Sequence, residues 1–241
     1  MPTEGPTAGE GPTAGPETAR AAILAAALPH VPFDGWSDTT LRAAATDSGE
    51  PLALARALFP RGGVDLALAY HRAGDAAMLR QLAAMDLNVL RFRDRIAQAV
   101  RIRLELVEDK ELVRRGATLF ALPNHAADGA KALWATSDAI WTALGDTERN
   151  FSWFTKRATL SGVHSATVLF WLGDDSPSHD ATWDFLDRRI QDVMQFEKAK
   201  AALRDNPLSK AVLAGPMRIM EKIRMPKMPD VPDDLPGRMR P

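Results

Sequence analysis

The sequence contains no cysteine, and this absence excludes disulfide bonds, thiolate catalysis and zinc sites that use cysteine ligands. Positive and negative residues nearly balance, since the 241 residues carry a net charge of only -1. The chain as a whole therefore has no long-range attraction for nucleic acid or anionic lipid, and any such binding needs a local patch.

Catalytic motifs are missing as well. The sequence has no P-loop, no GxGxxG after a strand, no GxSxG and no Glu-x-x-His. None of its five histidines is paired at the spacing of metal ligands. These absences argue against catalysis, and we expect no catalytic residues, no cofactor and no metal site.

The first 17 residues lack the basic and apolar regions of an export signal. They repeat Gly, Pro and Thr, a composition that cannot build a core, so residues 1–17 are predicted to be disordered. From these features we expect a cytoplasmic protein.

Helical patterns account for most of the remaining chain, and the predicted fold is all-α. Its centre is the stretch from Lys131 to Gly173, which holds four of the six tryptophans. Apolar side chains recur at helical spacing up to about Leu144, and a second helix opens at Phe151 after a polar turn. Residues 158–173 carry no formal charge apart from one histidine, but they are shorter than the roughly 20 residues that cross a bilayer. We therefore predict that residues 158–172 form a buried central helix.

Residues 18–62 are predicted to form helices joined by turns, an arrangement that resembles the N-terminal helix-turn-helix of TetR-family regulators. DNA binding needs cations for phosphates and polar side chains for base edges. Between Asp34 and Pro60, however, four acidic residues outnumber two arginines, and the third helix offers mainly Leu and Ala. We predict a TetR-like helical bundle with a vestigial helix-turn-helix and no nucleic-acid partner.

A basic helix carries five arginines from Arg91 to Arg103, with acidic residues among and after them. A solvated, salt-bridged face is favoured over a nucleic-acid groove. This helix belongs to a predicted ligand-binding bundle, residues 63–196. Residues 197–206 are charged and loosely apolar, and are predicted to be a linker.

Residues 207–225 are predicted to form a C-terminal amphipathic helix, followed by a proline-rich, disordered tail at 226–241. The helix combines an apolar side with a basic flank, which is typical of a helix that rests in a membrane interface. A helix docked on the body of the protein is an equally open interpretation. The candidate membrane-binding residues are Leu208, Lys210, Val212, Ile219, Lys222 and Ile223.

Several short stretches resemble one family. They are VPFDGW at 31–36, Asp138 with Ile140-Trp141, GD at 145–146, FSWFTKRATL at 151–160, and Thr182-Trp183 with Phe185-Leu186 and Arg189. Together they resemble, over about residues 20–195, the lipid-binding accessory proteins of ubiquinone biosynthesis called Coq-nine in eukaryotes, here in a bacterial form. The most specific part is the Gly-Asp turn that leads into Phe-x-Trp-aromatic-Thr-basic-Arg.

The resemblance implies a homodimer with a TetR-like fold that does not bind DNA. It also implies a non-catalytic protein that holds an isoprenoid quinone precursor or a phospholipid in an apolar pocket. Such a protein presents the lipid to the di-iron demethoxyubiquinone hydroxylase, from a peripheral position on the inner face of the cytoplasmic membrane. The candidate lipid-binding residues are Trp134, Trp141, Leu160, Val163 and Val168. Carried over by position, the partner-binding patch falls on Ile140, Trp153 and Phe154, with Asp138 nearby.

Two interpretations of Trp153 and Phe154 stay open. The rings can belong to the core beside solvated Lys156 and Arg157, or they can form a partner-binding patch, since Trp and Arg are enriched in interface hot spots. Three functions also stay open: a lipid-presenting protein, a TetR-like transcriptional regulator that responds to a hydrophobic ligand, and an unrecognised enzyme. They predict bound lipid, salt-dependent DNA binding and turnover by the pure protein, respectively.

Overall fold

The structure, a computed structural model, describes residues 15–146 and 151–205. Within these residues every regular element is helical, which confirms the predicted all-α fold. The α-helices of the described residues are α1 (Pro16–Ala27), α2 (Val31–Asp34), α3 (Asp38–Asp47), α4 (Leu52–Leu58), α5 (Gly63–Ala83), α6 (Phe92–Glu105), α7 (Lys110–Ala121), α8 (Ala126–Ala143), α9 (Phe151–Leu172) and α10 (Asp180–Asp205). Short 3-10 turns precede α6 and α10.

Helices α1 to α4 form a small N-terminal unit. Ser37 caps α3, because its hydroxyl accepts a hydrogen bond from the backbone N–H of Thr40 at 3.2 Å. The indole N–H of Trp36 donates to the carbonyl of Leu112 at 3.0 Å, and this bond is buried. The N-terminal unit is therefore tied to α7 of the body.

Helix α5 joins two hydrophobic cores. Near its start, Leu66 packs with buried side chains of the N-terminal unit such as Ile23 and Phe59. Near its end, Met78 and Leu82 pack into a second core built from α6, α8, α9 and α10. Because apolar side chains along its length are buried in both cores, α5 fixes the unit relative to the body.

Helices α8 and α9 form the predicted central hairpin. Helix α8 ends just before Gly145, whose φ of +85° suits a glycine that ends a helix. Farther along, Ser161 donates a hydrogen bond to Ser137 at 2.9 Å across the two helices.

The prediction that residues 158–172 are buried is wrong for one face of α9. Leu160, Thr167 and Trp171 are buried, but Leu169 is 64% exposed. Phe170 is also exposed in part and stacks on Phe185 of α10, with ring centroids 4.6 Å apart. The prediction relied on the lack of charge, yet uncharged side chains make up much of any protein surface.

Two predicted boundaries are also wrong. Helix α1 begins at Pro16, inside the segment predicted to be disordered, since proline suits the first helical position. Helix α10 continues to Asp205, through residues predicted to be a linker. That stretch is rich in Ala, Lys and Glu, and these residues favour helix even where no amphipathic pattern is evident.

The predicted helix 207–225 and tail 226–241 lie outside the described residues, as does most of the segment 1–17. Among the residues that the structure does describe, no helix has the length and apolar character needed to cross a membrane.

Candidate functional site

One cavity among the described helices has a volume of about 400 Å³. Helices α5 to α9 contribute to its wall, and Trp36 of the N-terminal unit completes it. Most of the lining is apolar: Leu104, Val107, Leu112, Val113, Phe120, Leu133, Val168 and Leu169. We call this space the main cavity, and its size and apolar wall are typical of a small-molecule site.

Small residues line the main cavity where α7 faces α8. Gly116 and Ala117 lie on α7, and Gly129 and Ala130 lie on α8. Gly129 permits close packing of the two helices, because a Cβ there would lie 2.7 Å from Cβ of Phe120. A Cβ atom added at Gly116 would meet only the Nε1 atom of Trp36, at an ordinary 3.6 Å. A larger side chain at position 116 therefore has room at its base and would reduce the free volume of the cavity.

One part of the cavity wall is polar and carries a buried ion pair. The Nε atom of Arg103 donates to Asp75 at 2.8 Å, and its Nη2 atom donates to the carbonyl of His71 at 3.1 Å. The hydroxyl of Thr136 donates to Asp75 at 2.9 Å, so the Nε2 atom of His71, 2.7 Å from that hydroxyl, must be the donor to it. Gly74 makes room for the network, because a Cβ there would lie 2.6 Å from Cζ of Arg103.

His164 of α9 lines the same wall. It is 3% exposed, and its Nδ1 atom is buried without a hydrogen-bond partner in the described structure. Burial, reinforced by the positive charge of Arg103, lowers the pKa of His164 to about 3. Burial also lowers the pKa of His71. The wall is therefore close to neutral overall, since both histidines are uncharged at neutral pH and Asp75 balances Arg103.

A second, smaller cavity of about 230 Å³ lies between α6, α8, α9 and α10. Its wall combines apolar side chains such as Ile96, Leu160 and Ile190 with Thr155, Lys156 and Thr159 on one side of α9.

The start of α9 carries an aromatic cluster made by Trp134, Trp153 and Phe154. The ring of Trp134 lies 5.8 Å from that of Trp153 and 5.0 Å from that of Phe154, measured between centroids. Phe154 is 50% exposed, whereas Trp134 and Trp153 are half-buried. The cluster therefore reaches the surface mainly through Phe154.

Arg157 contacts the buried side of this cluster. Its guanidinium is 1% exposed, binds Asp138, and donates to Asp146 at 2.8 Å. It also lies 4.2 Å from the centroid of the Trp153 ring. Burial opposes the charge of Asp146, but hydrogen bonds from Lys156 and Arg157 outweigh it and lower its pKa. Arg157 is therefore not solvated: it joins the two helices of the hairpin.

The predicted partner-binding residues separate in the structure. Ile140 is fully buried in the body core, so its predicted place in an exposed patch is wrong. Its apolar side chain faces inward on α8. Asp138 retains partial exposure and binds Arg157, while Trp153 and Phe154 share the aromatic cluster.

The predicted lipid-binding residues are divided between the two cavities. Val168 lines the main cavity. Trp141, Leu160 and Val163 line the second cavity instead. Trp134 lines neither of them and belongs to the aromatic cluster. Two helices carry these residues: Trp134 and Trp141 lie on α8, whereas Leu160, Val163 and Val168 lie on α9. Along each helix the side-chain direction turns by about 100° per residue, so the residues face different neighbours.

The sequence did not indicate the polar wall of the main cavity. Arg103 was assigned to a solvated face, yet it is buried against Asp75, and His71 and His164 were not singled out. One signal was available: Asp75 follows Gly74 within an otherwise apolar stretch of α5, and a buried carboxylate requires a partner. The predicted membrane-binding residues, from Leu208 to Ile223, lie outside the described residues.

Comparison with known proteins gives consistent matches. A sequence profile of the COQ9 family matches residues 126–197. The mitochondrial ubiquinone biosynthesis protein COQ9 of Drosophila melanogaster is 33% identical over 183 residues, which is 74% of this chain and 56% of that protein. The corresponding protein of Schizosaccharomyces pombe is 31% identical over 178 residues, covering 71% of this chain and 68% of that protein. The chain spans little more than half the length of the Drosophila protein.

Among solved structures, a TetR transcriptional regulator from Nitrosomonas europaea superposes with a TM-score of 0.60. The match covers 72% of this chain and 97% of the regulator, at 20% sequence identity. At that identity the likeness concerns the fold alone, and it confirms the TetR-like bundle.

Proposed function

This chain belongs to the COQ9 family, and from that premise we propose that it is a non-catalytic lipid-binding protein of ubiquinone biosynthesis. The main cavity holds an isoprenoid quinone precursor or a phospholipid. The protein presents the bound lipid to the di-iron demethoxyubiquinone hydroxylase.

The main cavity is the observation that carries this proposal. Its apolar wall suits a hydrocarbon chain, because burial of apolar surface contributes about 25 cal/mol per Å². Arg103 and His164 offer hydrogen bonds to an oxygen-bearing group, and Asp75 balances the charge of Arg103. A lipid with an uncharged ring and an isoprenoid chain therefore satisfies both parts of the wall.

The aromatic cluster is the proposed hydroxylase-binding surface. Phe154 is its exposed ring, and Trp153, which is half-buried, lies against Arg157. Asp138, which is partly exposed beside Arg157, completes this surface. A half-exposed aromatic group with adjacent charge is the composition found at interface hot spots.

The proposal includes a location and an oligomeric state. The protein works in the cytoplasm at the inner face of the cytoplasmic membrane, which it contacts through the predicted helix 207–225. It forms a homodimer, and the exposed apolar face of α9 around Leu169 supports that state.

Substitution of Gly116 by Leu tests the assignment of the cavity. The new side chain occupies part of the main cavity, so fewer methylene groups of the ligand can be buried there. Each buried methylene contributes about 0.8 kcal/mol, and loss of a few of them should lower the affinity for a short-chain ubiquinone at least about tenfold. Binding is followed by quenching of tryptophan fluorescence, because Trp36 lines the cavity.

The matched control is Gly162→Leu. Gly162 also lies within a helix, and a Cβ there meets nothing within 4 Å, at an exposed position of α9. This variant should bind the quinone like the unmodified protein. Equal binding by Gly116→Leu and the unmodified protein would show that the ligand lies elsewhere.

A further inference from the structure

The connection between α5 and α6 carries exposed apolar side chains. Val89 is 77% exposed and Phe92 is 46% exposed, with Met85 exposed beside them in the sequence. We call residues 85–92 the α5–α6 tip. Single exposed apolar side chains are common, but several that lie close together more often mark an interaction site.

The structure fixes the outward position of these side chains. Leu87 packs inward against the body core, and the carbonyl of Leu90 accepts a hydrogen bond from Nε of Arg95 at 3.0 Å. Asp86 also accepts a hydrogen bond from the backbone N–H of Asn88 at 3.0 Å. Val89 therefore protrudes from a braced turn.

The α5–α6 tip and the start of α6 carry a small excess of positive charge. Arg91 and Arg93 are exposed beside Phe92, and Arg93 pairs with Asp94 at 3.1 Å. Residues 86–95 hold three arginines against Asp86 and Asp94, a balance of +1. Helix α6 begins at this point without a side-chain cap, so backbone N–H groups of its first turn add positive potential, which Asp94 in the same turn offsets in part. Cations at a helix N-terminus are unfavourable by themselves, and an anion that binds here would relieve the repulsion.

A bilayer fits this surface better than a protein does. A stable protein interface buries about 800 Å² on each partner, which a few protruding side chains do not supply. Insertion into the interfacial region of a bilayer needs only apolar side chains and nearby cations. The second cavity adds to this argument, because Phe92 and the exposed Met194 both line it.

We propose that the α5–α6 tip inserts into the surface of an anionic bilayer, with Val89 and Phe92 among the acyl chains and Arg91 and Arg93 at the lipid phosphates. This contact is separate from the predicted helix 207–225. It deepens the proposed function, because it orients the body and brings the second cavity to the membrane.

The absence of cysteine permits a direct test on the full chain. Val89→Cys is labelled with an environment-sensitive fluorophore and mixed with vesicles of phosphatidylglycerol and phosphatidylethanolamine. Phe33→Cys is the control, since Phe33 is 84% exposed but belongs to the N-terminal unit. The 21 residues of α5 separate the two regions by about 30 Å.

The label at position 89 should shift to shorter wavelength on vesicles and be quenched by acyl-chain quenchers, while the label at position 33 should not change. A vesicle-bound protein whose label at position 89 stays in water would overturn the proposal, as would equal shifts at both positions. Failure of the protein to bind vesicles would also overturn it. Lipid binding in the main cavity is measured separately. Absence of vesicle binding would therefore contradict the proposed membrane location but leave the lipid-binding role standing.

Affinity measurements provide a second readout. Val89→Asp should weaken co-sedimentation with the same vesicles at least about tenfold, because a buried valine contributes about 1.5 kcal/mol or more. Arg91→Glu should weaken it at least about fivefold, at about 1 kcal/mol for each cation near the surface. Phe33→Asp should have no effect, and equal losses for Phe33→Asp and Val89→Asp would contradict a specific contact at the tip.

Discussion

Arg157 sets the environment of the two aromatic residues at the start of α9. The Trp153 ring covers the buried guanidinium of Arg157, which is paired with Asp138 and Asp146. Removal of the ring would therefore expose this ion pair to solvent. Phe154, by contrast, contacts Trp134 and leaves half of its surface in solvent. Trp153 therefore contributes to stability as well as to binding, whereas Phe154 contributes mainly to binding.

Phe154→Ala should separate these roles. We expect it to weaken hydroxylase binding by about 2 kcal/mol, roughly thirtyfold, because a half-exposed aromatic anchor is lost. Its free energy of unfolding should change by less than about 1 kcal/mol. Trp153→Ala should reduce both quantities, since its ring also shields Arg157.

Pull-down titrations and urea unfolding of the two variants provide these numbers. Unchanged hydroxylase binding by Phe154→Ala would place the partner surface elsewhere. A large loss of stability in Phe154→Ala would mean instead that the ring belongs to the core.

His164 predicts a pH dependence of stability. Burial keeps its pKa near 3 in the folded protein, whereas an unfolded histidine titrates near 6.5. As pH falls below about 6.5, the unfolded chain takes up a proton that the folded chain does not. The free energy of unfolding should therefore fall by up to about 1.4 kcal/mol per pH unit between pH 6 and pH 4.

Chemical unfolding of the wild type and His164→Gln over this range measures the effect. For the variant, the free energy of unfolding should depend less steeply on pH. The dependence that remains includes a contribution from His71, whose pKa is also lowered by burial. Identical slopes would show that His164 is protonated in the folded protein or is solvated.

At the scale of helices, the sequence predicts where helices form better than it predicts which side chains they bury. The hairpin of α8 and α9 follows from apolar spacing and Gly145, both of which are local signals. The burial of Arg103 and Arg157 depends on carboxylates that are far away in sequence or across a turn, and no helical repeat reports such pairs. The exposed face around Leu169 was missed for the same reason, because exposure depends on which neighbours a fold supplies.

The composition of the N-terminal unit predicts that the protein does not bind DNA. Helix α4 offers mainly Leu and Ala, and Arg42 of α3 is paired with Asp38 at 3.3 Å. Few cations remain for phosphates, so the protein should not retain DNA from the upstream region of its own gene. A gel shift at low salt tests this, and specific retention that weakens with salt would favour a transcriptional regulator.

In the molecule as a whole, the N-terminal unit and the body meet at the main cavity. Trp36 belongs to the N-terminal core, donates to Leu112 of α7 and lines the cavity. The unit therefore has a structural role in closing the cavity that does not depend on DNA. This arrangement accounts for a TetR-like architecture in a protein whose helix-turn-helix lacks a basic surface.

The cavity itself could not be located from the sequence. Its wall draws residues from five helices of the body and from the N-terminal unit, and its volume depends on small side chains such as Gly116. Glycine within a helix signals either close packing or free space, and only the assembled structure separates these cases.

Analysis of bound lipid tests the central claim most directly. The full chain is purified without detergent from a host that makes ubiquinone, and its organic extract is analysed by mass spectrometry beside that of Gly116→Leu. We predict an isoprenoid quinone precursor or phospholipid in near-stoichiometric amount from the unmodified protein, and much less from the variant. An extract without lipid from the unmodified protein, or equal amounts from both, would contradict a lipid-binding role for the main cavity.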